Sequence, residues 1–239
     1  GAYNMMSSLH PEQLQNGVVC ASAGNHAQGF AYSCKKLNVK GVVFMPIITP
    51  RQKVNQTRMF GEHFIDVKLV GDTFDDCANA AKQFTEENNM TFIPPFDDYR
   101  IIEGQGTVAV EILEDQPDVD FLFVPVGGGG LSAGVGTYFK TYSPKTKIVG
   151  IEPEGAPSMT EALKAGHPVT LKSIERFVDG AAVKRVGDLT FSICKDVLDD
   201  MHLVPEGKVC STILKLYNED AIVVEPAGAM SIAALDDYA

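Results

Sequence analysis

The sequence predicts an α/β protein made of two units, each a parallel sheet with helices on both faces. Short apolar runs alternate with segments of helical periodicity along most of the 239 residues, and this alternation is typical of parallel sheets. The pair Pro94 and Pro95 interrupts the pattern. We therefore predict a smaller unit at residues 1–95 and a larger one at residues 96–239. With 45% hydrophobic residues, the chain can bury one large core or two modest ones.

The first unit begins its alternation with an apolar run at residues 18–21. The predicted strands lie at residues 18–21, 41–45, 64–70 and 91–93. Thr49 and Pro50 predict a helix start, with the hydroxyl as N-cap and proline at the first helical position. Asp72 is expected to cap the next helix. The apolar stripe of that helix, which we interpret as core, comprises Phe74, Cys77, Ala78, Ala81 and Phe84.

The second unit continues the alternation after the proline pair. Its strands are predicted at residues 121–126 and 147–151, and its helices at about residues 103–113, from Leu131 onward, at 188–198 and at 207–217. The chain becomes looser after Pro153, where glycines and prolines are frequent. A final helix is expected after Glu225 and Pro226.

Four consecutive glycines follow the strand at residues 121–126, and we call them the glycine loop. They are Gly127, Gly128, Gly129 and Gly130, and Leu131 begins the predicted helix. Glycines before a helix let a ligand approach the backbone closely and direct N–H groups at one point, which suits a phosphate. A tight turn is the alternative. The spacing matches neither the Walker A nor the dinucleotide fingerprint.

A second polar loop also joins a predicted strand to a helix, and we call it the 22–26 loop. It consists of Ser22, Ala23, Gly24, Asn25 and His26. Its N–H groups could hold a carboxylate, and the Asn25 amide could donate to a neighbouring oxyanion. The alternative is an ordinary helix cap, because serine and asparagine favour helix starts. His26 is interpreted as a packed, hydrogen-bonded histidine.

Composition excludes several other classes of protein. The net charge of −11 argues against nucleic acid and anionic membrane surfaces as partners. The five cysteines are dispersed singly, which favours a reducing compartment over a disulfide framework. The sequence has neither a signal peptide nor an apolar run long enough to span a bilayer, so a cytoplasmic protein is expected. The isolated histidines give no zinc pattern.

Five segments together resemble the threonine dehydratases, the threonine ammonia-lyases of isoleucine biosynthesis. These segments are SAGNHAQ at 22–28, GGGGL at 127–131, VGIEP at 149–153, FVDGAAVKRVG at 177–187 and EPAGA at 225–229. The dehydratases belong to the pyridoxal-phosphate family related to tryptophan synthase β. The resemblance implies that fold, truncated here at both ends. It also implies pyridoxal 5′-phosphate as cofactor and elimination of the β-hydroxyl of threonine to give 2-oxobutanoate and ammonia.

The resemblance also implies roles for particular residues. The glycine loop and Leu131 would hold the cofactor phosphate through backbone N–H groups, and Asn25 would donate to the 3′ oxygen. Gly180 and Glu225 would lie beside the cofactor, although their motifs match less specifically. The 22–26 loop would bind the substrate carboxylate.

The lysine that forms the Schiff base in this family is expected upstream of Gly1. The family motif reads Ser-x-Lys-x-Arg-Gly-Ala, and Gly1 and Ala2 match only its last two positions. No lysine of the chain lies in a matching motif, so none is assigned a catalytic role. The chain is therefore expected to be a fragment of a lyase that is inactive alone.

Close relatives that racemise or dehydrate serine carry a divalent metal near the Glu-Pro motif. Glu152 and Ala156 match that site, but Ser158 replaces its aspartate. We therefore predict no metal site and interpret Glu152 as structural or solvated. Ser158 and the 177–187 segment also count against a serine racemase or serine dehydratase. A third hypothesis is a non-catalytic phosphate-ligand binder. L-serine stays open beside L-threonine as substrate, and the family allows a homo-oligomer.

Overall fold

The computed structural model describes residues 1–238, apart from the side chains at positions 75 and 237. The chain divides into two compact units, Gly1–Pro95 and Phe96–Ala239. Both sheets contain only parallel strand pairs among the described residues, so the predicted α/β class is confirmed. Within that part of the chain, no helix combines the length and the apolar content needed to cross a membrane.

The first unit is a four-stranded sheet with helices packed against it. Its strands are β1 (Val18–Ala21), β2 (Gly41–Met45), β3 (Ile65–Leu69) and β4 (Thr91–Phe92). Its helices are α1 (Ala2–Ser7), α2 (Pro11–Leu14), α3 (Asn25–Leu37), α4 (Arg51–Gly61) and α5 (Phe74–Glu87), with a 3₁₀ turn at Glu62–Phe64. The strand order is β3-β2-β1-β4. All four residues of the central strand β1 are buried, so the 22–26 loop leaves from the middle of the sheet.

Two helix starts of this unit differ from the prediction. Helix α4 begins at Arg51 with Pro50 as its N-cap, so Pro50 lies one position earlier than expected and Thr49 is not the cap. Helix α5 is capped by Thr73 rather than by Asp72.

Thr73 rather than Asp72 caps α5 because Thr73 and Asp76 form a reciprocal pair of hydrogen bonds. The Asp76 N–H donates to Thr73 Oγ1 over 3.1 Å, and the Thr73 N–H donates to Asp76 Oδ2 over 3.2 Å. Cys77 and Ala81 of the predicted stripe are fully buried, whereas Phe74 at the first helical position is 46% exposed and is not core.

The second unit is a three-stranded sheet surrounded by six helices in the described part of the chain. Its strands are β5 (Phe121–Pro125), β6 (Lys147–Pro153) and β7 (Asp200–Val204). Its helices are α6 (Tyr99–Asp115), α7 (Gly130–Tyr142), α8 (Ser158–Ala165), α9 (Asp188–Val197), α10 (Glu206–Asp220) and α11 (Pro226–Tyr238). The strand order is β5-β6-β7, with β6 in the centre.

Two elements of the second unit are absent from the prediction, namely β7 and α8. Helix α8 lies in the segment after Pro153 that is rich in glycine and proline. A carboxylate from strand β6 caps its start. Glu152 of β6 accepts hydrogen bonds from the N–H groups of Met159 and Thr160 at its start. That partner comes from another element, although the local run Ser158-Met-Thr-Glu161 also has the Ser-x-x-Glu pattern that is typical of a helix start.

Candidate functional site

The glycine loop joins β5 to α7 and needs glycine for two reasons. Gly129 is the N-cap of α7 and has a φ of 92°, in the left-handed region that favours glycine. A Cβ at Gly129 would lie 2.9 Å from Thr190 Cβ and 3.0 Å from Met159 Cε. A Cβ at Gly128 would overlap the ring of Phe96. Side chains at these two positions would therefore collide with the surrounding protein.

Two carbonyls of the glycine loop accept hydrogen bonds from the protein, whereas the N–H groups of the loop are available. Thr190 Oγ1 donates to the carbonyl oxygen of Gly128 over 2.6 Å, and the Ala133 N–H donates to that of Gly129 over 2.9 Å. The N–H groups of residues 127–131 have no protein acceptor within the described residues. Five successive donors at the positive end of a helix form an anion-binding arrangement.

The second unit also brings the loop close to Gly180 and Glu225. A Cβ at Gly127 would lie 3.1 Å from Ala181 Cα. A Cβ at Gly180 would lie 2.9 Å from Ala227 Cβ and 3.2 Å from Glu225 Oε1. Three of the predicted cofactor-binding segments, separated by about fifty residues each in sequence, are therefore neighbours in the structure.

The 22–26 loop lies in the first unit, directly after β1. The Ser22 N–H donates to the Phe44 carbonyl over 3.0 Å, and this bond connects the loop to strand β2. The Ser22 hydroxyl accepts from the Gly24 N–H over 3.2 Å, which makes a tight local turn. The N-cap of α3 is Gly24, and Asn25 is its first helical residue. Neither Ser22 nor Asn25 therefore occupies the cap position, which was the alternative interpretation of this loop.

His26 is half-buried and binds the backbone of the same unit. Its Nε2 lies 3.1 Å from the carbonyl oxygen of Ile93. Burial lowers the pKa of His26 to about 4, so the ring is neutral at pH 7. Because a carbonyl can only accept, the neutral ring carries its proton on Nε2. His26 thus has the packed, hydrogen-bonded environment that we expected of it.

Glu152 is fully buried and caps α8 with both carboxylate oxygens. Oε1 accepts from the Met159 N–H over 2.6 Å, and Oε2 accepts from the N–H and the hydroxyl of Thr160 over 2.8 and 2.7 Å. Burial raises the pKa of Glu152, and these hydrogen bonds oppose the rise. The carboxylate is therefore structural rather than solvated.

Sequence reasoning missed two side chains that shape the glycine loop. Phe96 packs against Gly128 and Gly130, and Thr190 binds the carbonyl of Gly128. Thr190 stands 62 residues from its partner, and nothing in its local sequence indicates the contact.

Comparison with known proteins assigns the chain to a family. The family model for "Pyridoxal-phosphate dependent enzyme" matches residues 1–239. The biosynthetic L-threonine dehydratase of Halalkalibacterium halodurans is 59% identical over 239 residues, covering 100% of this chain and 58% of the relative. The chain thus spans little more than half of that protein's length.

Solved structures give the same assignment. The processed form of threonine deaminase isoform 2 from Solanum lycopersicum matches with a TM-score of 0.94 and 45% identity, over 99% of this chain and 68% of that one. Maize serine racemase matches with a TM-score of 0.90 and 32% identity, over 99% and 72%. These similarities confirm the predicted tryptophan synthase β-like fold. The chain belongs to the family of pyridoxal-phosphate dependent enzymes.

Proposed function

We propose that the protein is a lyase that eliminates the β-hydroxyl of L-threonine, giving 2-oxobutanoate and ammonia in the first step of isoleucine biosynthesis. The observation that carries the proposal is the glycine loop, whose five successive N–H donors face no protein acceptor among the described residues. The similarity to a biosynthetic threonine dehydratase, at 59% identity along the whole chain, supports the choice of reaction.

Pyridoxal phosphate fits the residues of the second unit. Its phosphate carries negative charge, and the glycine loop and Leu131 present backbone donors at the N-terminus of a 13-residue helix. Gly180 and Glu225 would lie beside the cofactor, and Asn25 would donate to its 3′ oxygen. When bound, the cofactor supplies an electron sink for the charge that develops at the substrate Cα.

The 22–26 loop is proposed to bind the substrate carboxylate. Ser22 and Gly24 already donate their N–H groups within the protein, so the donors proposed for the carboxylate are those of the other loop residues. They stand at the start of α3, a 13-residue helix whose dipole favours negative charge at that end. The turn made by Ser22 and Gly24 fixes the backbone before the helix begins. A carboxylate held there would orient the amino acid, so the contribution of the loop is positioning.

L-Threonine is favoured over L-serine because the dehydratase relative is 59% identical and the maize serine racemase only 32%. Glu152 binds the start of α8 through both oxygens, which favours a structural role over the metal site of serine enzymes. A cytoplasmic location and a homo-oligomeric state belong to the same proposal, by resemblance to the biosynthetic dehydratases.

The test uses the full-length protein reconstituted with pyridoxal phosphate. L-Threonine and L-serine are supplied separately, and 2-oxobutanoate, pyruvate and D-serine are quantified by chromatography. We expect 2-oxobutanoate from threonine at the highest kcat/KM. Formation of D-serine without either keto acid would contradict the proposal.

A paired variant connects the reaction to the site. Gly129→Ala should weaken cofactor binding, because alanine at this φ is strained and its Cβ would lie 2.9 Å from Thr190 Cβ. Gly207→Ala is the control, since its Cβ would meet no atom within 4 Å. Equal cofactor affinity in the two variants would remove the glycine loop from the site.

A further inference from the structure

One face of α9 binds two successive carbonyl groups of the glycine loop. Thr190 Oγ1 donates to Gly128 O over 2.6 Å, and Cys194 Sγ donates to Gly129 O over 3.6 Å. The two side chains are four residues apart, so they lie on the same side of the helix. Both are fully buried.

Each donor has its proton available for this contact. Thr190 Oγ1 also lies 3.3 Å from the Gly187 carbonyl, but the shorter contact to Gly128 takes the hydroxyl proton. Burial raises the pKa of Cys194 to about 12, so its thiol stays protonated at neutral pH. The Ser132 hydroxyl gives Gly129 O a further, longer contact of 3.4 Å.

Binding a carbonyl on one side fixes the direction of an N–H on the other. The described chain contains no cis peptide, and in a trans peptide the C=O and the following N–H point in opposite directions. With the carbonyls of Gly128 and Gly129 turned toward α9 and α7, the N–H groups of Gly129 and Gly130 point away from them. Those N–H groups are among the donors that we propose bind the cofactor phosphate.

The start of α9 is itself fixed by a carboxylate. Asp97 accepts hydrogen bonds from the N–H groups of Asp188, Leu189 and Thr190 over 3.1, 3.0 and 3.0 Å. This cap gives the free N–H groups of the first turn an acceptor, and it fixes the position of Thr190 relative to the glycine loop.

We propose that Thr190 is a positioning residue for the cofactor phosphate, acting with Cys194 through the Gly128 and Gly129 carbonyls to aim the loop N–H groups. The inference rests on the proposed function of the loop. Thr190 touches the carbonyl side of the peptides and acts on the ligand only through them.

The test compares two ligands that differ only in the phosphate. Binding of pyridoxal 5′-phosphate and of pyridoxal is titrated by absorbance on the full-length parent, Thr190→Val and Thr190→Ser. Valine keeps the shape and loses the hydroxyl. We expect Thr190→Val to lose about three- to tenfold in affinity for the phosphorylated ligand, the effect of one hydrogen bond. Pyridoxal affinity should stay unchanged, and Thr190→Ser should restore the parent value.

Thr85→Val is the matched control. Thr85 is also buried, and its hydroxyl donates to a carbonyl, that of Ala81, over 2.7 Å. This variant should leave the ratio of the two affinities at the parent value. If Thr190→Val fails to fold, Cys194→Ala and Cys194→Ser are compared in the same way, with the larger loss expected for alanine.

Two results would overturn the inference. An equal loss for both ligands would mean a general structural effect, and no loss for either would mean that the carbonyl contact is dispensable. Gly129→Ala separates these results from failure of the proposed function. If Gly129→Ala weakens phosphate-dependent binding and Thr190→Val does not, only the positioning role is lost. If neither variant affects it, the loop does not bind phosphate.

Discussion

Glu225 Oε1 lies 3.2 Å from the point that a Cβ on Gly180 would occupy, and Ala227 Cβ lies 2.9 Å from the same point. Even alanine at Gly180 therefore has to displace the 225–227 segment. We expect Gly180→Ala to lower the free energy of unfolding by about 1–3 kcal/mol, the usual cost of overpacking. Thermal unfolding of the full-length protein, with and without cofactor, measures the loss.

Gly207→Ala is the comparison for this substitution. Gly207 lies in α10 with open space around its Cβ position, so alanine should raise stability by about 0.5–1 kcal/mol. A Gly180→Ala protein as stable as its parent would mean that the 225–227 segment moves freely.

The proposed function assigns the Asn25 amide to the 3′ oxygen of the cofactor, and a substitution tests that assignment. A hydrogen bond to a charged oxygen contributes about 1.5–3 kcal/mol, so Asn25→Ala should weaken cofactor binding by about 10- to 100-fold. Equilibrium titration of the full-length protein measures the change. Lys36→Ala, an exposed substitution at the far end of the same helix, should bind the cofactor as the parent does. Parent affinity in Asn25→Ala would exclude Asn25 from the cofactor site.

Glu152 should be sensitive to the loss of a single oxygen. Glutamine would place an amide NH₂ opposite the N–H of Met159 or of Thr160, leaving buried donors unpaired. We expect Glu152→Gln to destabilise the protein by about 1–3 kcal/mol. Chemical denaturation of parent and variant measures the difference, and equal midpoints with equal slopes would contradict the role of Glu152 in capping α8.

The pH dependence of that difference has a definite sign. Burial raises the pKa of Glu152 in the folded protein above its unfolded value. The folded state therefore binds the proton more readily, and the contribution of Glu152 increases as the pH falls from neutral toward the ordinary carboxyl range. The gap in unfolding free energy between parent and Glu152→Gln should widen in that direction. A gap that narrows on acidification would show that the hydrogen bonds outweigh burial.

The cysteines should differ sharply in reactivity. Cys210 is exposed, whereas burial raises the pKa of Cys34 and Cys194 to about 12 and that of Cys77 to about 11. Burial also raises the pKa of Cys20. Since the thiolate is the reactive form, iodoacetamide at pH 8 should label Cys210 first. Peptide mass spectrometry before and after denaturation measures the order, and early labelling of Cys194 would contradict the packing of α9.

The sequence predicts well what depends on neighbouring residues. The strands before the two loops, and the loops themselves, were predicted because apolar runs followed by glycine or polar residues are local patterns. The Thr190 contact and the Asp97 cap were not predicted, because each partner comes from another element. The helix α8 was missed although Ser158 and Glu161 form a local start pattern. Asp72 was wrong as a cap because Thr73 pairs reciprocally with Asp76. This Thr-x-x-Asp pattern is local, and the prediction overlooked it.

Asp97 and Asp98 are adjacent, yet they cap different helices. Asp98 accepts from the Arg100 N–H over 2.8 Å at the start of α6. Asp97 instead accepts from N–H groups of α9 that lie 91 to 93 residues later in the sequence. The first cap needs no long loop to close and can form early in folding, but the second must wait until the intervening chain is in place. Removing the Asp97 carboxylate should therefore accelerate unfolding and leave the folding rate nearly unchanged, as stopped-flow kinetics of Asp97→Ala would measure. The lifetime of the folded second unit, more than the speed of its formation, then depends on this carboxylate.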